Sequence, residues 1–171
     1  MEYLFFLIYD IVFIVGLSIY LPFYIRRKKI NLAALKQKMA FIGRFGLKRQ
    51  NAIWIHVVSV GELNLIEKLA KRIHELFNYE IIITTTTLSA NSLARKKYAK
   101  FAKIFFFPFD ISFVINKIIK EFRPKIFIAA ETELWPNLFY RLKKKNIPIV
   151  IVNARISDRA FARYKIIRPF M

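Results

Sequence analysis

The sequence predicts an α/β protein with a doubly wound, Rossmann-like parallel sheet, preceded by an N-terminal hydrophobic anchor helix. Five apolar segments alternate with four segments whose apolar residues recur at helical spacing. The apolar segments are continuous rather than alternating, which is typical of parallel strands covered by helices on both faces. A further apolar segment, Tyr3–Ile25, opens the chain and contains no lysine or arginine.

The elements of the predicted sheet follow one another from residue 52 to residue 154. The predicted strands are Ala52–Val60, Glu80–Thr87 (rich in β-branched residues), Lys103–Phe109, Lys125–Ala130 and Ile147–Ala154. The predicted helices are Glu62–Phe77, Ser89–Phe101, Asp110–Phe122 and Leu134–Asn146. The expected packing residues are Leu65, Leu69, Ile73 and Leu76 in the first helix, and Phe113, Ile115, Ile118, Ile119 and Phe122 in the third. Asp110 is the expected N-cap of that third helix, and Pro136 the first-turn proline of the fourth.

Charge is distributed unevenly along the chain. The 171 residues carry 30 Lys and Arg against 11 Asp and Glu, which gives a net charge of +19. Residues 26–50 hold nine of these cations and no acid, whereas residues 1–25 hold none. Such a charge favours anionic partners: nucleic acid, anionic lipid or a phosphorylated substrate. The drift of an AT-rich genome towards lysine is an alternative source of the same excess.

The chain lacks the residues that several kinds of functional site require. There is no cysteine, which excludes disulfides, thiol nucleophiles and thiolate zinc sites. Only two histidines occur, so a histidine-based metal site is not expected. His56, inside the first strand, is interpreted as a core histidine and His74 as a solvated one. Gly61 is the only glycine after residue 46, so a glycine-rich phosphate loop cannot be built in the predicted sheet.

The first 25 residues are predicted to form a membrane anchor. As a helix, Tyr3–Ile25 would be roughly 35 Å long, enough to cross a bilayer core of about 30 Å. The start lacks the basic residues of a signal peptide, and no Ala-x-Ala cleavage site follows. The run Arg26–Lys29 predicts that the rest of the chain faces the cytoplasm. Residues 26–50 form a basic juxtamembrane segment expected to lie against anionic headgroups, with a solvated linker as the alternative, and residues 51–171 form the sheet domain.

Side chains able to take part in chemistry follow the predicted strands, at the edge where open α/β sheets bind their ligands. Ser59, Gly61 and Glu62 follow the first strand, Glu131 and Glu133 the fourth, and Asn153 and Arg155 the fifth. A carboxylate at this edge can act as a general base. Spacing alone leaves structural roles open as well. Glu62 suits the first turn of a helix, Glu131 and Glu133 could pair with Arg155, and Trp135 suits core packing.

Six segments occur in one order and spacing: HVVSVGE, TTTT, FPFD, RPKIFI, AETELWPN and VNARIS. Together they resemble the 3-deoxy-D-manno-octulosonic acid (Kdo) transferases of lipopolysaccharide synthesis, from the N-terminal hydrophobic segment to about Ser157. The resemblance implies the N-terminal, acceptor-binding half of a GT-B glycosyltransferase, whose two Rossmann-like domains face each other across a cleft. It implies transfer of Kdo from CMP-Kdo to a lipid A precursor, with inversion and without a metal or other cofactor. It also implies a place at the inner membrane, with the catalytic domain in the cytoplasm.

The resemblance assigns roles residue by residue. Glu62 matches the general base that deprotonates the acceptor hydroxyl. Glu131 matches the first glutamate of the ETELWPN motif, which would shape or polarise the cleft. Glu133, Trp135 and Asn137 match the same motif, in which site and scaffold roles stay open. Glu133 and Asn137 are expected at the cleft, together with Ser59, Gly61, Asn153 and Arg155. At TTTTLSAN the family usually has a glycine near the place where Asn91 stands in this chain.

The second domain of such an enzyme, which binds the CMP-sugar, is not found in the 171 residues. We therefore expect the chain to be inactive alone, either as a fragment or as one half of a split enzyme whose C-terminal half is a separate chain. Its expected partners are the lipid A precursor, CMP-Kdo and inner-membrane lipid. A non-catalytic, membrane-associated module that binds the acceptor is the alternative. A nucleic-acid-binding domain is not expected, because no signature of such a module accompanies the positive charge.

Overall fold

The computed structural model describes residues 2–28, 32–41, 51–77, 79–131 and 135–154. It contains a five-stranded, parallel sheet in the order β3-β2-β1-β4-β5. The strands are β1 (Ala52–Val57), β2 (Glu80–Thr85), β3 (Ala102–Phe106), β4 (Pro124–Ala130) and β5 (Ile149–Val152). The helices are α1 (Glu2–Lys28), α2 (Leu32–Lys38), α3 (Val60–Leu65), α4 (Glu67–Leu76), α5 (Leu88–Tyr98), α6 (Ser112–Phe122) and α7 (Pro136–Lys144). The predicted Rossmann-like α/β sheet is confirmed.

The sheet has a hydrophobic core on each face. Trp54 of β1 lies in register with Ile82 of β2 and Phe127 of β4. These three side chains belong to the core that α6 and α7 cover. Ile55, the next residue along β1, belongs to the opposite core, which α3, α4 and α5 cover. Because both faces are covered, the strands are continuous apolar segments, as the sequence indicated.

The first predicted helix is divided at Ile66 into α3 and α4. The break changes which residues face the core. Ile66, Ala70 and Ile73 are buried, whereas Leu65 and Leu76 are exposed, contrary to prediction. Of the four expected packing residues, the two at the ends of the segment therefore face solvent.

The start of α6 also differs from its prediction. The N-cap is Ile111 and not Asp110. The Asp110 carboxylate instead accepts hydrogen bonds from the backbone N–H groups of Asn137 (3.0 Å) and Leu138 (2.9 Å), so it caps α7. Phe113 is exposed, contrary to prediction, because Val114 takes the inward position. The other expected packing residues are buried: Ile115, Ile118, Ile119 and Phe122.

Helix α1 lies against the face of the sheet domain that carries α6 and α7. Its segment Tyr3–Phe23 is long and apolar enough to cross a membrane, judged by length and composition. Phe6 is nevertheless buried, and its ring centroid lies 4.2 Å from that of Tyr140 on α7. Phe13 and Leu17 pack against the same core. One side of this apolar helix is therefore part of the folded domain.

A polar hub, made of Tyr9, Asp10, Asp110, Ser112 and Asn137, joins α1 to the starts of α6 and α7. The Tyr9 hydroxyl donates to Asp110 Oδ2 (3.0 Å). Asp10 Oδ1 accepts from the Ser112 backbone N–H (3.1 Å) and from Asn137 Nδ2 (2.9 Å). The Asp10 carboxylate, which interrupts the apolar segment in the sequence, thus faces the domain and has partners there.

Candidate active site

The order of the strands creates a topological switch point between β1 and β4, where a crevice is expected. The chain moves outward from β1 to β3 and then returns to β4, on the other side of β1. In open α/β sheets, ligands bind at such a switch point, outside the carboxyl ends of the strands. Glu62 follows β1 and Glu131 follows β4. The structure therefore places the two predicted catalytic carboxylates after the two strands of this switch point, beside the expected crevice.

Glu62 is held at the start of α3 by a short local network. Ser59 is the N-cap, and its Oγ accepts a hydrogen bond from the Glu62 backbone N–H at 3.2 Å. The Glu62 side chain turns back, and its Oε2 accepts from the Val58 N–H at 2.8 Å. This reciprocal arrangement is a variant of the capping box, shifted by one residue. The side chain is only 7% exposed. Within the described residues, Oε1 accepts no hydrogen bond, so a fixed carboxylate keeps one oxygen for another partner.

Gly61 lies beside Glu62 in α3 and is exposed. A Cβ at this position would meet only Ser59 Oγ, at an ordinary contact distance of 3.7 Å. Neither the backbone nor the packing of the described residues demands a glycine here. A glycine inside a helix is less stable than alanine by up to about 1 kcal/mol. The open space above Gly61 therefore allows a ligand to approach the backbone next to Glu62.

Glu131 and Asn153 meet at the ends of β4 and β5. Asn153 Nδ2 donates to Glu131 Oε1 at 3.4 Å, and the Glu131 backbone N–H donates to Val152 O at 2.8 Å. Both residues have left-handed backbones, with φ of 66° at Glu131 and 54° at Asn153. Asparagine tolerates this conformation, whereas a glutamate there is strained. Strained residues cluster at functional sites, which supports a role for Glu131 at this edge.

The remaining predicted site residues divide into two groups. Asn137 is fully buried within the polar hub, where its Nδ2 also donates to Asp110 O at 2.8 Å and its Oδ1 accepts from Ser112 Oγ at 2.9 Å. The structure thus places Asn137 inside the hub, as a fully buried residue with no exposed surface. Glu133 and Arg155 lie outside the described residues. Trp135 packs against Phe107 with ring centroids 5.0 Å apart, in agreement with its predicted packing role.

The loop after β2 is tied to the loop after β1. Thr87 is the N-cap of α5, and its hydroxyl donates to Val58 O at 3.2 Å. Asn91, at the place where the family usually has a glycine, is buried in α5 and donates to Thr85 Oγ1 at 2.9 Å. This hydrogen bond joins α5 to the end of β2. The hydrogen bond from Thr87 therefore joins the loop after β2 to Val58, the residue whose N–H binds the Glu62 carboxylate.

Lys38 and His56 have pKa values that burial lowers, which the sequence did not show. Lys38 of α2 is buried between the rings of Phe106 and Phe109, each 5.7 Å away, and burial lowers its pKa to about 8. It belongs to the predicted juxtamembrane segment, but it contacts the domain and not solvent. His56 is a core histidine, as predicted. Burial lowers its pKa to about 3, against the hydrogen bond that its Nδ1 makes to Thr84 O.

A comparison with known families shows which family the chain belongs to. Residues 33–171 match the model of the family described as 3-Deoxy-D-manno-octulosonic-acid transferase (kdotransferase). The chain belongs to the Kdo transferase family. The matched region contains both Glu62 and Glu131, whereas α1 precedes it.

Named relatives support the same family. A bifunctional glycosyltransferase/methyltransferase of Fusobacterium nucleatum is 38% identical over 160 residues, which cover 92% of this chain and 24% of that protein. The 3-deoxy-D-manno-octulosonic acid transferase of Haemophilus influenzae is 34% identical over 131 residues, covering 76% of this chain and 31% of that protein. The transferase of the same name from Rickettsia bellii is 30% identical over 141 residues, covering 80% and 32%. The chain therefore spans about a quarter to a third of the length of these relatives.

Proposed function

We propose that this chain forms the acceptor side of a glycosyltransferase that moves Kdo from CMP-Kdo to a lipid A precursor, with Glu62 as the general base. The observation that carries this proposal is the placement of Glu62. It is a nearly buried carboxylate at the β1–β4 crevice, with one oxygen fixed by Val58 N–H and no hydrogen bond to the other among the described residues. A carboxylate restrained in this way can accept a proton from a positioned hydroxyl.

The proposed reaction is a single displacement with inversion at the anomeric carbon. The acceptor hydroxyl gives its proton to Glu62 as its oxygen bonds to the anomeric carbon of Kdo. The bond from that carbon to the phosphate of CMP breaks, and CMP leaves with the electron pair. Glu131, held beside Asn153, would polarise or shape the crevice. From the family resemblance we expect this step to need no bound metal.

The donor would be bound mainly by a second Rossmann-like domain of the complete enzyme. The described sheet offers no glycine-rich loop for a nucleotide phosphate, because Gly61 is the only glycine after residue 46. CMP-Kdo would therefore approach the crevice from the side opposite the acceptor. The 171 residues alone are expected to bind the precursor and to transfer nothing.

The acceptor is an amphiphile with phosphates, so the enzyme should work at a membrane surface. The apolar helix α1 and the net charge of +19 suit attachment to a leaflet that carries anionic lipid. We place the chain at the inner membrane with its sheet domain in the cytoplasm, because Arg26–Lys29 follows the apolar segment. Nucleic acid is not a proposed partner.

A chimera tests the proposed function. In this chimera the chain replaces the N-terminal region of the Haemophilus influenzae relative, and it is incubated with CMP-Kdo and a lipid A precursor. Kdo-modified precursor is the expected product, and the intact relative, assayed in parallel, controls for the reagents. The chain alone should bind the precursor more tightly than it binds phosphatidylglycerol, without forming product. Equal binding of the two lipids would contradict the acceptor role, and product from the chain alone would contradict the need for a second domain.

A further inference from the structure

Helix α1 has two sides with different surroundings. The side formed by Phe6, Tyr9, Asp10, Phe13 and Leu17 contacts the sheet domain. These residues recur at intervals of three and four, the spacing of one helical face. The docked part of α1, Phe6–Leu17, therefore extends over about three turns, from Tyr140 of α7 to the loop that holds Phe109.

This docking argues against a helix that crosses a bilayer. The apolar segment ends near Phe23, and residues up to Leu17 contact the domain. Residues 18–28 would extend only about 16 Å beyond the docked part, against roughly 30 Å for a bilayer core. A crossing would also place Asp10 inside the hydrocarbon, where a carboxylate is costly. In the structure, Asp10 accepts two hydrogen bonds from the domain instead.

The opposite side of α1 is a continuous apolar surface that the described part of the domain leaves exposed. We call it the outer face: Leu4, Leu7, Ile8, Ile11, Val12, Val15 and Ile19 are each at least half exposed. No charged residue lies on it, since Asp10 is the only charged side chain from Tyr3 to Phe23 and it belongs to the hub. An apolar strip along a whole helix indicates a partner that is itself apolar and extended.

Cationic side chains near the amino end of α1 indicate that its apolar partner also carries negative charge. A groove of about 250 Å³ lies between α1, α6 and α7. Its lining includes Tyr3, Phe6 and Asn116, together with the cationic side chains Arg141, Lys144 and Lys145. Lys144 Nζ lies 5.9 Å from the Tyr3 ring centroid, and Arg141 Nε is buried with no hydrogen-bond partner among the described residues. At the other end of α1, Arg26 is exposed.

We propose that α1 lies in the plane of an anionic phospholipid leaflet, with its outer face among the acyl chains and a lipid phosphate in the groove of Arg141, Lys144 and Lys145. The acyl chains of such a leaflet would cover the apolar strip. The cations near the two ends of α1 would contact its anionic headgroups. The helix then attaches the chain without crossing the membrane. This inference rests on the proposed membrane attachment but not on Kdo transfer.

The position of the two ends of α1 tests the in-plane geometry. Because the chain has no cysteine, Tyr3→Cys and Arg26→Cys are single-cysteine variants without further changes. Each is expressed as the full chain, and inverted inner-membrane vesicles are treated with a membrane-impermeant maleimide. In-plane attachment predicts that both variants are labelled without detergent. Labelling of Arg26→Cys alone, with Tyr3→Cys reactive only after detergent, would show a crossing helix and overturn the proposal.

The same experiment separates this inference from the proposed orientation. If both positions are labelled only in right-side-out vesicles, α1 is in the plane but on the other leaflet, and the cytoplasmic placement is wrong.

Two further variants, Leu7→Cys and Val15→Cys, report on what covers the outer face. A fluorophore at each should be quenched equally by lipids with a shallow nitroxide. Disulfide formation between two copies of Val15→Cys in vesicles, without quenching, would show self-association and overturn the lipid assignment.

A charge-matched pair of triple variants tests the groove. Arg141→Gln/Lys144→Gln/Lys145→Gln is compared with Lys68→Gln/Lys96→Gln/Lys100→Gln. The second set removes the same charge from α4, from α5 and from the turn after α5, on the other face of the sheet. Flotation is measured with vesicles of phosphatidylcholine, with and without phosphatidylglycerol.

The groove variant should bind anionic vesicles more weakly, by about fivefold per charge removed, and neutral vesicles unchanged. The control variant should show only a small loss, because its charges lie far from the leaflet. Lys144→Gln alone repeats the measurement with one exposed change, in case the triple variant folds poorly. Equal losses in the two triple variants, or no loss for Lys144→Gln, would contradict the groove as a phosphate site.

Discussion

Glu131 occupies a backbone conformation that its side chain does not favour. Its φ of 66° is that of a left-handed residue, which costs a non-glycine residue about 1–2 kcal/mol. Arg123 has a similar φ of 46°, but it follows α6 at the opposite edge of the sheet. The two positions share the same strain, and only one of them borders the crevice. They therefore form a matched pair for separating strain from function.

We predict that Glu131→Gly raises the free energy of unfolding by about 1 kcal/mol and lowers Kdo transfer by the chimera. Glycine adopts the left-handed conformation without a steric cost, but it removes the carboxylate beside Asn153. Arg123→Gly should give a similar stabilisation with unchanged transfer. Urea unfolding and transfer assays of both variants measure the two effects. Unchanged transfer in Glu131→Gly would remove Glu131 from the site.

Gly61 offers a second test at the scale of one residue. Alanine fits its backbone and makes only an ordinary contact with Ser59 Oγ, so Gly61→Ala should stabilise α3 by up to about 1 kcal/mol. If acceptor approaches the backbone here, the added methyl group should raise the KM for the precursor at least severalfold. Val60→Ala, a change at the adjacent exposed position, is the control and should leave KM unchanged. A KM for Gly61→Ala equal to that of the unmodified chimera would show that the space is not used.

Among the elements, the junction of α1, α6 and α7 depends on one buried carboxyl group. Burial raises the pKa of Asp110 from 3.8 to about 6. Hydrogen bonds from Asn137, Leu138 and Tyr9 oppose this rise, and the neighbouring Asp10 adds to it. The folded chain therefore holds this proton more tightly than the unfolded chain does. The resulting stability is fully present below about pH 4 and is lost as the pH rises through about 6.

We predict that Asp110→Asn removes this pH dependence. The difference in unfolding free energy between the unmodified chain and the variant should fall by roughly 2 kcal/mol between pH 4 and pH 7. The lowered pKa of His56 gives stability that is lost as the pH falls. His56 is present in both proteins, so its contribution cancels in the difference. Urea unfolding in detergent at several pH values measures the effect. A difference that does not change with pH would contradict the assigned protonation of Asp110.

The elements also show what a sequence can and cannot predict. The five strands were predicted because burial on both faces makes them continuous apolar segments, a pattern that depends only on local residues. The break at Ile66 was missed because residues 62–77 carry helix-forming residues throughout, without a glycine or proline. The cap of α7 by Asp110 was missed because its partners lie 27 and 28 positions along the chain. Such long-range pairings depend on the packing of whole elements.

For the whole molecule, the carboxylate pair was predicted more readily than the attachment of α1. Glu62 and Glu131 could be assigned to one edge because the carboxyl ends of parallel strands coincide there. Their place at the switch point required the strand order, which the sequence did not provide. The docking of α1 had a faint signal in Phe6, Asp10, Phe13 and Leu17, but the overall hydropathy of the segment masked it. The burial of Lys38 had no signal, because it depends on two rings of a distant loop and strand.

The central claim for the complete enzyme is that Glu62 takes the proton of the acceptor hydroxyl. Glutamine at this position can still accept the Val58 N–H bond through its amide oxygen, so the local fold should survive. It cannot act as a base at neutral pH. Glu62→Ala, which loses both the bond and the base, is the comparison that reveals any purely structural contribution.

The most direct measurement is therefore kcat for Kdo transfer by the chimera with Glu62→Gln, together with its KM for the precursor and its melting temperature. The expected result is a fall in kcat of about 100-fold or more, with KM and melting temperature close to those of the unmodified chimera. A kcat for Glu62→Gln within a few-fold of the unmodified value would contradict the claim, and would leave Glu62 as the capping residue of α3.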